Sequence, residues 1–339
     1  EIHGRVEEYK ELNPGEVAYY DGMIMVDLSK IRPMIAMPFH PSNTYTISEV
    51  NENLQDILHD VEKRAKVSLD GAVPYSLQDK IVNGRFKRQF LSDIVKEFPE
   101  YVSPDFKPED KFPILIKFID AKKNLSIQVH PSDETALRER GEEGKAEMWY
   151  VVSAKPRAFL YYGLNRMINR EDLEKKIQDG TVCEVLNKVE VHAGDVFFIH
   201  PGTIHAIGAG TVIAEIQQNS NTTFRVYDYL RKDKDGNYRE LHVERAIDVI
   251  DRTPVIPSQV FDNNEVRLKA GSLRRLFECD YFSVLRIQVD SGKIKFWCDK
   301  SSFHSLLIVA GNGFLEHGGK RYDFQAGDSM FIPAGFGEY

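Results

Sequence analysis

The chain has 339 residues, 42% hydrophobic and 28% charged, with a formal net charge of −8, enough length for roughly two domains. The acidic balance excludes a nucleic-acid coat or an anionic membrane surface as partner, and no run reaches the ~18 apolar residues of a membrane span. Cys183, Cys279 and Cys298 form neither a disulfide framework nor a C-x-x-C metal site, and EIHGRVEEYK at the start offers no apolar signal core, so a cytoplasmic protein is expected.

In chain order, residues 51–66 (NENLQDILHDVEKRAK) set Leu54, Ile57, Leu58 and Val61 at helical spacing with charge on the other face, predicting a helix. A second helix is expected within 89–97 (QFLSDIVKE). From about residue 111 the character changes to short β-like runs: FPILIKFID, LSIQVH, MWYVVS, RAFLYYG, VFFIH, TVIAEIQQ and TFRVYDYL. Gly, Pro, Asp and Asn signals separate them, which argues an antiparallel sandwich or barrel. Helices interrupt at 170–179 (REDLEKKIQD) and 239–251 (RELHVERAIDVID), and after VIPS (255–258) a second β-rich stretch runs on. The two stretches echo each other: 194–205 (GDVFFIHPGTIH) against 327–338 (GDSMFIPAGFGE), and 147–154 (EMWYVVSA) against 304–311 (HSLLIVAG). Two β modules of one type are the economical explanation.

The first module offers four nitrogen and oxygen donors. In QVH, Gln128 and His130 are two apart, so on a strand they project to the same face. Glu147 opens the apolar run MWYVV, and His205 follows a Pro-Gly-Thr-Ile turn that can aim it back across a barrel. Imidazole, carboxylate and amide oxygen suit Zn²⁺ or another borderline divalent ion, with room for water or substrate.

The combination of a donor-x-His pair, a Glu some way on and a Gly-x-x-His after a Gly-Asp strand resembles the cupin pattern, with Gln128 in place of the usual first His. LSIQVHP, GKAEMWYV, PGTIHAIGAG and EIQQNSNTTFRVYDY look like the type I mannose-6-phosphate isomerases, particularly their short bacterial form, over about residues 90–339. This resemblance implies a mainly β fold of two cupin-like jelly-roll barrels with short helical insertions, after an N-terminal mixed α/β segment. The domains would be 1–88, then a metal-binding cupin at 89–256, then a degenerate cupin at 257–339. It implies one zinc per chain held by Gln128, His130, Glu147 and His205, with Arg225 as the catalytic arginine. Lys117, Ser126 and Lys145 would line the sugar-phosphate pocket. The implied reaction interconverts mannose 6-phosphate and fructose 6-phosphate through a cis-enediol. An alternative keeps the donors without catalysis, as a metal- or sugar-phosphate-binding bicupin.

Two departures narrow the mechanism. Gly144 and Asn221 stand where some long relatives carry a His and an Asp, so acid–base roles for those two residues do not transfer. In the second module His304 falls in the slot of Glu147 and Glu338 in that of His205, so its site is expected to be lost; His200 is expected to be a bystander. The first 85 or so residues lack the Trp-Gly-Gly opening of this family. Instead YYDGMIMVDLSKIRPMIAMPFHPSNTYTISEVN (19–51) resembles a segment of the aconitase-type hydratases as far as VNGRFK (82–87), which predicts a join near 82–90 and an idle or structural His40. The resemblance also makes IPAGFGEY about one strand short of the expected C-terminal module.

Overall fold

The computed structural model describes residues 34–36, 44–46, 81–140, 143–232, 236–256 and 265–339. The chain divides into two units, Glu1–Asp70 and Gly71–Tyr339. In the first, strand β1 (Met34–Ala36) pairs antiparallel with β2 (Thr44–Thr46). The helix expected at 51–66 and His40 lie outside the described residues.

The second unit opens with helix α1 (Leu91–Glu97), where Asp93 in the first turn and Lys96 in the last complement the helix dipole. Ile94 and Val95 are its buried residues, and Pro99 stops it in a 3-10 turn, since a residue before proline disfavours helical backbone. There follow β3 (Ile114–Ala121), β4 (Ile127–Val129), α2 (Asp133–Arg140), β5 (Glu147–Ala154), β6 (Phe159–Leu164) and α3 (Arg170–Gln178). Asn169 caps α3 by accepting a hydrogen bond from the Asp172 amide at 2.7 Å. Next come β7 (Leu186–Glu190), β8 (Val196–Ile199), β9 (His205–Ile207), β10 (Thr211–Gln218), β11 (Phe224–Tyr227) and α4 (Val243–Val249).

These strands make two antiparallel sheets, one of order β3-β10-β5-β8 and one of order β11-β4-β9-β6-β7. Alternation along each strand then sorts the side chains into layers. Trp149, Val151, Phe197, Ile199 and Ile213 from the first sheet meet Leu160, Tyr162 and Ile207 from the second in a shared core. The opposite face of the five-stranded sheet buries Ile127, Val129, Phe224 and Val226 against Leu173 and Ile177 of α3 and Ala246 and Ile247 of α4. The opposite face of the four-stranded sheet packs Met148, Val196 and Phe198 on Leu276 and Phe277. The result is a mainly β, cupin-like sandwich covered on both sides, which can keep water out of its interior.

The last segment contributes β12 (Glu265–Leu268), β13 (Gly271–Glu278), β14 (Ser283–Val289), β15 (Trp297–Cys298), β16 (His304–Leu307), β17 (Asn312–His317), β18 (Lys320–Gln325), β19 (Ser329–Ile332) and β20 (Gly337–Glu338). The first three form one sheet, and the rest pair as β15–β20, β16–β19 and β17–β18. A small core of Cys298, Leu315 and Ile332 sits among them. Cys183, Cys279 and Cys298 are all free thiols. No described helix is long and apolar enough to cross a membrane.

Candidate metal centre

Registry decides which side chains meet. In the five-stranded sheet Arg225 lies opposite Gln128, Gln128 opposite His205, and His205 opposite Tyr162. Residues directly opposed on neighbouring strands present their side chains to the same face, so these four line one row facing the sandwich interior. On the facing sheet Glu147 is opposite Gln217, and Lys117, Glu215 and Trp149 form the adjacent row. The Pro-Gly turn before β9 needs Gly202 at φ +88°, where a Cβ would also approach the Val249 carbonyl to 3.0 Å. That turn delivers His205 to the first position of β9.

His130, Glu147 and His205 bring their ligand atoms within 4.8 Å of one another, and all three are buried. His130 Nε2 stands 3.5 Å from Glu147 Oε2, and His205 Nε2 stands 3.3 Å from Glu147 Oε1. Each imidazole turns its other nitrogen to a carbonyl: His130 Nδ1 lies 3.0 Å from Thr222 O and His205 Nδ1 2.8 Å from Thr203 O. A carbonyl only accepts, so in the neutral ring the proton sits on Nδ1 and the Nε2 lone pair faces the shared space. Carbonyl-oriented imidazoles of this kind are typical of histidine metal ligands. The Gln128 amide is 3.3 Å from His205 Nε2 through its nitrogen. Nitrogen and oxygen of an amide are interchangeable by a half-turn, which would present Oε1 to the same space.

The electrostatics agree. Burial, then the Lys145 charge, push the His130 pKa down to about 4, and burial lowers that of His205. Both rings are therefore neutral near pH 7, as ligation requires. Burial works to raise the Glu147 pKa, but Lys145, His130 and His205 outweigh it and hold the carboxyl well below its usual range. Lys145 Nζ stands 2.9 Å from Glu147 Oε2 and 3.3 Å from His130 Nε2. Lys145 is thus ion-paired to Oε2, yet neither buried Glu147 oxygen is held in well-formed hydrogen-bond geometry. A buried carboxylate left in that condition is costly. The donor set, the inward lone pairs and these two buried carboxylate oxygens fit a divalent cation.

The other expected residues lie around this set. Lys117 Nζ donates to Gln217 Oε1 at 2.7 Å and to Glu215 Oε1 at 3.3 Å. Ser126 is buried two residues ahead of Gln128. Arg225 is buried, its Nη1 donating to Glu240 O at 2.8 Å and its backbone N–H to His242 Nδ1 at 3.1 Å. His200 is exposed and turned onto the Phe198 ring. Glu215 was missed by sequence reasoning: it is buried, accepts from Trp149 Nε1 at 3.0 Å and faces both lysines. Its signal was present, since EIQQ places Glu215 and Gln217 at the same two-residue interval as Gln128 and His130.

Among the described residues, no other group of three or more His, Cys, Asp or Glu side chains converges in this way. In the C-terminal segment His304 Nδ1 lies 2.8 Å from the Tyr339 hydroxyl, and Glu338 pairs with Lys295 at 2.8 Å in solvent.

Comparison with known proteins adds to the geometry. The family model "Phosphomannose isomerase type I, catalytic domain" matches residues 71–158, and "Mannose-6-phosphate isomerase, cupin domain" matches 273–339. The mannose-6-phosphate isomerase ManA of Bacillus subtilis (strain 168) is 38% identical over 264 residues, covering 77% of this chain and 81% of the relative. A mannose-6-phosphate isomerase of Streptococcus mutans is 36% identical over 259 residues, covering 75% of this chain and 78% of the relative. The crystal structure of the mannose 6-phosphate isomerase from Bacillus subtilis superposes with a TM-score of 0.69 at 31% identity, covering 76% of this chain and 81% of that one. The expected aconitase-type resemblance of 19–87 is not supported, and the type I match starts at residue 71, ahead of the join expected near 82–90.

Proposed function

The chain belongs to the type I mannose-6-phosphate isomerases, and on that footing we propose a zinc-dependent interconversion of mannose 6-phosphate and fructose 6-phosphate through a cis-enediol. The observation that carries the zinc reading is the buried Glu147 carboxylate, its oxygens outside well-formed hydrogen-bond geometry, between two imidazoles whose Nε2 lone pairs face it. Gln128 through Oε1, His130 and His205 through Nε2, and the Glu147 carboxylate would hold the ion. Two imidazoles, one carboxylate and one amide are donors of the borderline class that zinc accepts. Bound there, a divalent cation supplies Lewis acidity where the sugar's O1 and O2 gain negative charge.

The protein's own groups do the rest. Lys117 and Lys145 are balanced by Glu147 and Glu215, so these four side chains bring no net charge to the site. Arg225 adds a positive charge on the same interior face, and a guanidinium stays protonated through the cycle. It is suited to hold the enediol oxygen or the phosphate while a proton moves between C1 and C2, and unsuited to take that proton. Trp149 Nε1 and the Lys117 Nζ both donate to Glu215 and fix its orientation beside the site. Ser126 offers a hydroxyl donor for the sugar phosphate. The covered sandwich excludes water, which strengthens each of these interactions. We further divide the chain into a metal-binding cupin at 89–256 and a second cupin at 257–339 that has lost its donors, a reading supported by the exposed pairing of Glu338 with Lys295.

The test is metal analysis coupled to a mannose 6-phosphate assay on purified protein. Stoichiometric zinc and fructose 6-phosphate formation are expected, both lost on chelation. A folded, zinc-loaded sample without turnover would refute the reading.

A further inference from the structure

A second set of contacts surrounds the segment that delivers Lys145 and Glu147. Asp133, the first residue of α2, accepts from the Gly144 amide at 2.7 Å and from Gln218 Nε2 at 3.1 Å through Oδ1. Gln218 in turn grips Ala146 twice: its Oε1 accepts from the Ala146 backbone N–H at 2.8 Å, and its backbone N–H donates to the Ala146 carbonyl at 3.1 Å. The Lys145 amide donates to Pro131 O at 3.2 Å. The approach is so close that a Cβ on Gly144 would stand 2.4 Å from the Asp133 amide nitrogen and 2.8 Å from Pro131 O, so no side chain fits at 144. Main chain before β5 is thus tied to the loop after His130 and to the end of β10. The remaining oxygen of Asp133, Oδ2, accepts from the Tyr281 hydroxyl at 2.6 Å, and Tyr281 lies in the turn between β13 and β14.

We infer that Asp133, held by Tyr281 from the C-terminal strands, is a positioning residue that sets Lys145 and Glu147 in place at the metal centre. The inference rests on the metal reading above and goes beyond it. The C-terminal segment, lacking donors of its own, then acts on the site by steering the chain that carries its carboxylate. Three donated hydrogen bonds converge on Asp133; burial acts to raise its pKa, and the bonds from Tyr281, Gly144 and Gln218 bring it below the usual value. The carboxylate is therefore ionised at working pH and can accept all three. Displacing outer partners of metal ligands commonly costs about 10- to 100-fold in metal affinity.

The test is Co²⁺ titration of metal-free protein, followed through the visible ligand-field absorbance of the bound ion, with thermal melts to establish folding. Asp133→Ala is expected to weaken Co²⁺ binding about 10- to 100-fold and alter the band shape. Asp133→Asn is expected within about threefold of the parent, because its oxygen still accepts from Gly144 and Gln218 and its amide can donate to the Tyr281 oxygen. Tyr281→Phe, which removes one half-exposed hydroxyl, is expected to cost about threefold. A folded Asp133→Ala protein that titrates like the parent would overturn the inference, as would Asp133→Asn as weak as Asp133→Ala, or Tyr281→Phe indistinguishable from the parent. Should Asp133→Ala fail to fold, the other two variants decide. A parent chain that binds no Co²⁺ would refute the metal reading itself, whereas binding that ignores these variants refutes only this step.

Discussion

The sandwich of residues 114–227 and the strands from residue 265 onward share a sequence pattern but differ in what they bury. In the sandwich β8 is buried throughout and β10 nearly so. In the C-terminal segment β12 is exposed along its whole length, and β14 is exposed or half-exposed. The Gly-Asp strand and the Pro-Gly turn recur in related form in both, yet only the covered sandwich holds a histidine, His130, at a pKa of about 4 beside a fully buried carboxylate. Where the echoed positions are half-buried or exposed, His304 finds a tyrosine hydroxyl and Glu338 a lysine. Turn-and-strand scaffolding can be repeated without repeating the site. Desolvation from both sides turns a group of polar residues into a set of candidate ligands.

That contrast can be broken most sharply at the two glutamates. Glu147→Gln keeps shape and removes charge from the buried set; zinc affinity should fall by roughly 1,000-fold or more and turnover with it, measured by calorimetry and assay. Glu338→Gln should change neither. If the two substitutions had equal effects, burial would not be what separates the regions. Arg225→Ala should leave zinc in place and lower kcat by about 100- to 1,000-fold. A normal rate in that variant would remove the arginine from the mechanism.

The pH dependence of metal-free protein is the next largest effect. The unfolded chain takes a proton at His130 near pH 6.5, the folded chain only near 4. The folded state thus binds fewer protons between these values. Stability is full above pH about 6.5 and falls as pH drops toward 4, by on the order of 3 kcal/mol. Denaturant unfolding between pH 7 and pH 4 measures this, and a His130→Gln protein should lose part of the slope, His205, whose pKa burial also lowers, carrying a further part. An unchanged slope there would assign the acid sensitivity elsewhere. Smallest at the metal centre is Leu315→Ala in the C-terminal core, where the side chain is 6% exposed. It should cost about 2 kcal/mol of stability while zinc content stays that of the parent. Metal loss without unfolding would mean that the C-terminal core reaches the site by a route other than the Tyr281 contact.

Much of the fold was legible in local pattern. TVIAEIQQ is β10 from end to end, and EMWYVVSA is β5. REDLEKKIQD became α3 because Asn169 caps it and Leu173 and Ile177 share its buried face. Other elements were not legible, for physical reasons. β9 is three residues long, too short for any periodicity to register. α2 has no apolar stripe, and its start is organised by Asp133 contacts to residues 11 to 148 positions away. The run TFRVYDYL suggested strand to its end, but Tyr229 and Leu230 turn left-handed at φ 56° and 53°, breaking β11 after Tyr227.

The chain by itself determined the alternating faces and the donors within them: Gln128 beside His130, Glu147 at a strand start, His205 after a glycine turn. Those follow from the two-residue period of a strand and the conformational freedom of glycine, both of which act over a few residues. Only the tertiary structure decided that Glu147 stands between the two imidazoles, that Thr203 and Thr222 carbonyls orient the rings, and that Glu215, Asp133 and Tyr281 surround them. Registry between sheets and exclusion of water depend on elements far apart in the chain, and no local pattern encodes either.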